Sequence, residues 1–123
     1  MTLLFVYGTL KRGGENHLHL TGQRLVGPAA TSPGFTLYGL QGFPGMVRAA
    51  DAMDGVTGEL WEVDAGCLRT LDILEGTAEK LYERMPISLL PPYADLPVQT
   101  YLYLRSLERR PRVGSTWAGR ALP

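Results

Sequence analysis

The sequence predicts an α+β fold in which a small curved or barrel-like mixed β-sheet packs against one main helix and one short helix. Several short apolar runs are separated by Gly and Pro, as in strands that are joined by tight turns. Only one segment has helical periodicity, whereas a doubly wound fold needs a helix between successive strands. Leu, Ile, Val and Phe supply 32 of the 123 residues, which is enough for a folded core despite 15 Gly and 9 Pro.

The first predicted element is a strand over Leu3 to Tyr7, a continuous apolar run closed by Gly8. Such a run is typical of a strand that is buried on both faces. Asn16 is expected to cap a short helix over His17 to Leu20. The later strands are expected as three short pieces within residues 24 to 50, and then at Val56 to Val63, Tyr82 to Leu90 and Val98 to Leu104.

The main helix is predicted between Asp64, a favourable N-cap residue, and Gly76, which suits the left-handed backbone that follows many helices. Its spacing predicts one apolar face. That face comprises Cys67, Leu68, Leu71 and Leu74. Asp72 is expected to point away from this face.

Glu75 is the candidate catalytic residue because it follows Leu71 by four positions and therefore points with the apolar face of the helix. Burial and the negative end of the helix dipole would both raise the pKa of its carboxyl group. A carboxyl group of this kind can exchange protons near neutral pH. Two alternatives remain open from position alone: an exposed Glu at a frayed helix end, or an ion pair with an Arg such as Arg84.

The candidate binding element is the turn Tyr7-Gly8-Thr9-Leu10, where the first strand ends abruptly. Backbone N–H groups at such a turn lack a ladder partner and can form a small anion-binding concavity. The spacing is not that of a phosphate-binding P-loop. An ordinary β-turn is the alternative.

Composition excludes several classes of protein. Twelve basic and twelve acidic residues give no net charge, which disfavours nucleic-acid binding. The uncharged stretch over residues 25 to 47 contains eight Gly or Pro residues, so no membrane span is expected. A single Cys and the lack of a secretory leader at the N-terminus favour the cytoplasm.

Other candidate residues have simpler structural explanations. His17 and His19 lack companion metal ligands, so no metal site is expected. Cys67 is expected to be a small buried apolar residue and not a nucleophile. Tyr82 and Arg84 share one side of a predicted strand, where they could orient Glu75 or a substrate, or simply cover the sheet.

Together these motifs resemble one family. VYGTLKRG, then GELWEV, then LDILEG followed by Tyr82-Glu83-Arg84, is similar to the gamma-glutamylcyclotransferase superfamily, especially its short gamma-glutamylamine cyclotransferase-like members. The resemblance runs from about Leu4 to Leu104. It implies a domain over residues 1 to 104, with a basic C-terminal tail over residues 105 to 123 expected to pack on the same domain.

The resemblance also implies an activity. The α-amine of a γ-glutamyl-amine, or of another small γ-glutamyl conjugate, would attack its own γ-carbonyl group and release 5-oxoproline and the free amine without a cofactor. Tyr7, Gly8, Thr9 and Leu10 would then bind the glutamyl group, and Glu75 would be the acid/base catalyst. A noncatalytic module that binds a small molecule or a peptide terminus in the same pocket is the alternative. The sequence leaves the amine and the oligomeric state open.

Overall fold

A computed structural model of the chain describes residues 1 to 118, which form eight strands, one α-helix and one short 3-10 helix. The strands are β1 Thr2–Val6, β2 Arg24–Ala30, β3 Phe35–Gly39, β4 Pro44–Arg48, β5 Thr57–Val63, β6 Tyr82–Ile87, β7 Val98–Tyr103 and β8 Arg112–Gly114. The α-helix, α1, spans Ala65–Leu74, and the 3-10 helix spans His17–Leu20. The last five residues of the predicted basic tail, 119 to 123, lie outside the described part.

The strands form two sheets. The larger sheet has the order β2-β5-β1-β7-β6, and the smaller has the order β4-β3-β8. Strand β1 is parallel to β7 and antiparallel to β5, so the larger sheet is mixed. The predicted α+β fold with one main helix is thereby confirmed.

The larger sheet stays open and does not close into a barrel. Its edge strands β2 and β6 each contain a proline, Pro28 and Pro86, which lacks the N–H group that a further ladder of hydrogen bonds needs. The extensions of these strands meet at one isolated bridge between Thr31 and Leu89. The sheet therefore curves without completing a barrel.

Strand β1 lies at the centre of the larger sheet and is buried on both faces, as predicted. Leu4 and Val6 pack in a core cluster with Leu71 of helix α1. Phe5 packs on the opposite face with Leu37 of the smaller sheet. Because both faces of β1 are covered, the chain that leaves β1 emerges between the two core clusters.

Helix α1 begins and ends where its sequence predicts. Oδ1 of Asp64 accepts a hydrogen bond of 2.7 Å from the backbone N–H of Cys67, which satisfies one unpaired donor of the first turn. Gly76 has a φ of +66° directly after the helix, a conformation that glycine adopts without strain. Leu74 differs from the expectation, because 38% of it is exposed at the open end of the apolar face.

Three local predictions need correction. The side chain of Asn16 does not cap the 3-10 helix, because its Nδ2 donates to Oγ1 of Thr9 at 2.9 Å. Strand β6 ends at Ile87 instead of Leu90, because only an isolated bridge follows. Strand β8 was not expected, since three residues are too short to display an alternating pattern.

Candidate active site

A cavity of about 270 Å³ lies where the end of β1, the end of α1 and the start of β4 meet. Its lining includes every residue proposed from the sequence for the site: Tyr7, Gly8, Thr9, Leu10 and Glu75. The fold thus brings a turn near the N-terminus into one cavity with a carboxyl group almost 70 positions later. The cavity is slightly smaller than the usual range for small-molecule sites, about 300 to 1,000 Å³.

The turn after β1 is held by hydrogen bonds to its carbonyl groups. The oxygen of Gly8 accepts from the backbone N–H of Lys11 at 3.1 Å, and the oxygen of Thr9 accepts from that of Asn16 at 2.9 Å. Within residues 1 to 118, the backbone N–H groups of Gly8, Thr9 and Leu10 donate to no protein acceptor. All three residues line the cavity, so these backbone donors are candidates for binding a ligand there.

Gly8 is required by a close approach of two chain segments. A Cβ atom at this position would lie 2.6 Å from Cγ of Pro44 at the start of β4. No side chain larger than hydrogen fits there unless one of the segments moves. The glycine thus lets the turn after β1 pack directly against the opposite wall of the cavity.

A buried carboxylate anchors the loop that follows the turn. Glu59 of β5 is only 8% exposed and accepts hydrogen bonds from the backbone N–H and the Nε of Arg12, each at 3.0 Å. Nε1 of Trp61 donates to the same carboxylate at 3.1 Å. These bonds fix the loop to the central part of the larger sheet.

Glu75 is the C-cap residue of α1, and its side chain lines the cavity. Burial raises the pKa of its carboxyl group to about 7. Within the described residues, the carboxyl group forms no hydrogen bond or ion pair with the protein, and Arg84 pairs with a different acid. The orientation predicted from helical periodicity is therefore confirmed, and the alternatives of an exposed Glu or an ion pair with Arg84 are wrong.

Three tyrosines surround the carboxyl group, and their hydroxyl groups already have acceptors. Tyr7 donates to the backbone oxygen of Tyr101 at 2.6 Å, and Tyr82 donates to that of Pro44 at 2.6 Å. The hydroxyl of Tyr101 donates to Asp72 at 2.7 Å. Burial raises the pKa of all three phenols, so they are neutral at physiological pH and form a rigid wall of the cavity.

Two residues of the site region were not predicted from the sequence: Tyr101, which lines the cavity, and Asp72, which lies outside the lining but binds Tyr101. Asp72 was expected to point away from the apolar face, but it binds Arg84 through both carboxylate oxygens, at 2.9 and 3.0 Å. The position of Asp72, three residues before Glu75, was a signal that the two acids share one side of the helix. Tyr101 alternates with buried Leu102 in β7, a pattern that does not reveal which face meets the cavity.

The remaining candidates lie elsewhere. His17 contacts the backbone oxygen of Leu10 from the 3-10 helix, and no group of three potential metal ligands occurs in residues 1 to 118. Cys67 is half-buried and donates to the backbone oxygen of His19. Trp117 does not line this cavity; it lines a second cavity together with Lys11. Nζ of Lys11 donates a hydrogen bond of 2.7 Å to the backbone oxygen of Trp117. Over the same described range, no helix is long and apolar enough to cross a bilayer.

The fold and the cavity define a class of small α+β protein in which a largely buried carboxyl group of raised pKa lines the same cavity as the turn after the first strand. The chain belongs to the family described as Gamma-glutamyl cyclotransferase, AIG2-like, whose model matches residues 4 to 118. The resemblance seen in the sequence is thereby confirmed.

Known relatives are similar over much of their length. Human gamma-glutamylaminecyclotransferase is 33% identical over 123 aligned residues, covering 86% of this chain and 80% of that protein. The rat protein of the same name is 34% identical, covering 72% of this chain and 64% of its own length. A Vibrio cholerae relative is 44% identical over 73 residues, and the chain spans 61% of that relative's length.

Solved structures support the same fold. Protein ytfP from Escherichia coli has a TM-score of 0.69 and 29% identity, covering 95% of this chain and 96% of that chain. An AIG2-like protein from Mus musculus also has a TM-score of 0.69, with 30% identity, covering 86% of this chain and 78% of the mouse chain.

Proposed function

We propose that this protein is a γ-glutamyl cyclotransferase that converts a γ-glutamyl-amine, or another small γ-glutamyl conjugate, into 5-oxoproline and the free amine. The observation that carries the proposal is the meeting of Glu75 and the turn Tyr7 to Leu10 in one cavity. Family membership and the names of the rat and human relatives support it. Glu75 is the proposed acid/base catalyst, and the turn is the proposed binding site for the glutamyl group.

The charges of the cavity suit a γ-glutamyl substrate in a particular orientation. No Lys or Arg is among the described residues that line it. The α-carboxylate of the substrate would therefore be held by the free N–H groups of Gly8, Thr9 and Leu10. The α-ammonium group would lie beside Glu75, where a carboxylate can both attract it and remove its proton.

The reaction forms one bond and breaks one. After the α-ammonium loses a proton to the carboxylate of Glu75, the amine attacks the γ-carbonyl carbon and a five-membered lactam ring forms. The attacking nitrogen then loses its second proton, and collapse of the tetrahedral intermediate breaks the bond between the γ-carbon and the leaving nitrogen. Glu75 carries the two protons, one after the other, to that leaving nitrogen. In total the α-nitrogen loses two protons and the leaving nitrogen gains two, so no net proton is taken up and no water is consumed.

The raised pKa of Glu75 suits both transfers. A carboxyl group with a pKa of about 7 is roughly half ionised at neutral pH, so it accepts and returns protons at similar cost. Because the nucleophile and the electrophile belong to one molecule, holding the glutamyl chain in its cyclising conformation supplies much of the rate enhancement. The tyrosine wall would hold the glutamyl chain in that conformation.

The test is an assay for 5-oxoproline with a panel of γ-glutamyl amines and γ-glutamyl dipeptides. The wild-type protein is expected to release 5-oxoproline from at least one of them, and Glu75→Gln is expected to lower kcat by about 10² to 10⁴. Glu83→Gln is the matched control, because Glu83 is exposed on β6 and does not line the cavity. Binding of the substrates in calorimetry without any turnover would favour the noncatalytic module instead.

A further inference from the structure

The turn of α1 that carries Glu75 has little apolar packing. Ile73 is 80% exposed and Leu74 is 38% exposed, whereas Leu71, one turn earlier, is completely buried. Helix ends fray when few contacts hold them. Backbone hydrogen bonds, such as that of 3.1 Å from the N–H of Thr77 to the oxygen of Asp72, close this helix end, so the interaction that fixes it to the sheet beside the cavity must come from a side chain.

Asp72 provides that interaction through two strands of the larger sheet. Arg84 of β6 donates from Nε and Nη2 to the two carboxylate oxygens at 2.9 and 3.0 Å, a bidentate arrangement. Tyr101 of β7 donates from its hydroxyl group to Oδ1 at 2.7 Å. Nη1 of Arg84 also donates to Gln99 of β7, which fixes the direction of the guanidinium group.

The same cluster reaches the binding turn. Tyr101 lines the cavity, and its backbone oxygen accepts the hydrogen bond from Tyr7. Tyr101 of β7 therefore binds both Asp72 near the end of α1 and Tyr7 at the start of the turn. A shift of Asp72 would consequently alter the distance between Glu75 and the turn.

The charges around Glu75 make the pairing of Asp72 important. Tyr7, Tyr82 and Tyr101 face Glu75 as neutral phenols from the end of β1, from β6 and from β7, and Glu15 lines the same cavity from an exposed loop position. Asp72 lies on the same helix, three residues before Glu75. Burial favours the neutral form of Asp72, but its hydrogen bonds from Arg84 and Tyr101 and the charge of Arg84 outweigh this and lower its pKa.

We propose that Asp72, Arg84 and Tyr101 form a positioning cluster that holds Glu75 over the cavity and in which Arg84 neutralises the negative charge of Asp72 on the same helix. This rests on the proposed role of Glu75 as the acid/base group. An ionised Asp72 without its partner would oppose ionisation of Glu75, because two carboxylates one helical turn apart repel. The positive charge of Arg84 without Asp72 would instead favour ionisation of Glu75.

The test compares charge variants by their sign. Arg84→Gln is expected to raise the pKa of Glu75 by about 0.5 to 1 unit, and Asp72→Asn is expected to lower it by a similar amount. The double variant, Asp72→Asn with Arg84→Gln, should return the pKa close to the wild-type value. Carboxyl ¹³C resonances followed by NMR against pH give this pKa without any need for turnover.

Activity separates positioning from charge. Arg84→Lys keeps the positive charge but loses the bidentate contact, so kcat should fall by about tenfold while KM and the pKa of Glu75 stay close to wild type. Thermal melting of each variant shows whether it is folded at the assay temperature. Tyr101→Phe, which changes no charge but removes the hydrogen bond to Asp72, should also lower kcat at unchanged KM, and it tests the positioning role if Arg84→Lys does not fold.

Equal pKa values in Arg84→Gln and Asp72→Asn, or shifts of the same sign, would overturn the charge role of the cluster. An unchanged kcat in Arg84→Lys and Tyr101→Phe would overturn its positioning role. A wild-type protein that releases no 5-oxoproline would instead contradict the proposed function, and the NMR titration would still decide whether the pair controls the ionisation of Glu75.

Discussion

At the scale of single residues, Glu75 makes the stability of the fold depend on pH. Its carboxyl group has a pKa of about 7 in the folded protein, against an ordinary value of 4.5. Between these values the unfolded chain releases the proton and the folded protein retains it. The stabilisation from the protonated form is therefore complete below pH 4.5 and is lost as the pH rises towards 7.

Glu75→Gln is accordingly expected to be more stable than wild type at pH 8, by about 1 to 3 kcal/mol, and nearly equal to it at pH 4. Gln cannot ionise, so the variant avoids the cost of a buried charge. Urea denaturation at several pH values measures the difference, with Glu83→Gln as the control at an exposed site. A difference that is constant across this range would contradict the raised pKa.

Gly8 is the second residue whose substitution is informative. The Cβ atom in Gly8→Ala would overlap Cγ of Pro44, so the turn must move away from the cavity wall. If the turn binds the glutamyl group, KM should rise by about tenfold or more, with a smaller effect on kcat. Steady-state kinetics with the best substrate of the panel measures both constants.

Gly66→Ala provides the control for a glycine substitution. The nearest atom to its added Cβ, Oδ1 of Asp64, lies at 3.5 Å, an ordinary contact, and alanine favours a helix. This variant should keep the wild-type KM and be slightly more stable. A wild-type KM in Gly8→Ala as well would argue against the proposed binding turn.

The spacing of apolar residues in α1 correctly predicted the direction of the Glu75 side chain but not that of Asp72, and one physical reason explains both outcomes. The apolar face of a helix is visible in the spacing of Leu68 and Leu71, so a carboxyl group in line with them can be recognised. Asp72 lies at the boundary of that face. Its spacing from Glu75 indicates a neighbouring position on the helix surface, but its partners Arg84 and Tyr101 lie on β6 and β7, which the spacing of residues in one helix cannot reveal.

At the scale of elements, the N-cap of α1 supports the helix that carries Glu75. Asp64→Ala removes the acceptor for the backbone N–H of Cys67 and for Nε2 of Gln23. The midpoint of urea denaturation should decrease, and the decrease should lie between a few tenths of a molar and about 1 M. Asp64→Asn, which can still cap a helix, should lose less.

Asp54→Ala serves as the matched control for that comparison, because Asp54 is an exposed acid outside the helices and strands. Its denaturation midpoint should match that of the wild type. If Asp64→Ala were as stable as this control, the cap would contribute nothing measurable to the stability of the protein. The contacts at the other end of α1, near the cavity, would then have to stabilise the helix.

The existence of most elements was predictable, but their arrangement was not. Apolar runs bounded by Gly and Pro indicated β1 and β5, and Asp64 and Gly76 marked the ends of α1. Strand order depends on pairing between distant segments, for example β1 with β7, and no local pattern records it. The division into two sheets and the strand β8 came only from the structure.

At the scale of the whole molecule, the candidate site is a product of chain topology. The turn at Gly8 and the carboxyl group of Glu75 meet because β1 is the central strand and α1 packs over one of its faces. The sequence pointed to this meeting only through the resemblance of its motifs to a family. Composition and periodicity alone indicated two separate features and did not predict how far apart they lie in the fold.

The segment that begins at Arg105 also belongs to this scale, and we propose that it packs on the same domain as residues 1 to 104. In support, β8 pairs with β3, and the backbone oxygen of Ser115 accepts a hydrogen bond of 2.8 Å from the N–H of Thr57 in β5. Trp117 packs against the core cluster that contains Phe5. The contact from Lys11 to the backbone oxygen of Trp117 links this segment to the loop that follows the proposed binding turn.

Two shortened chains test this proposal, one ending at Ala118 and the other at Arg110, because they differ only in residues 111 to 118. The shorter chain exposes an edge of β3 and part of the core, so its melting temperature should be lower by more than about 10 °C. It should also have a higher KM, because Lys11 loses its contact near the turn that begins at Tyr7. Equal melting temperatures and equal KM values would show that these residues do not support the domain, and the basic tail would then be an independent appendage.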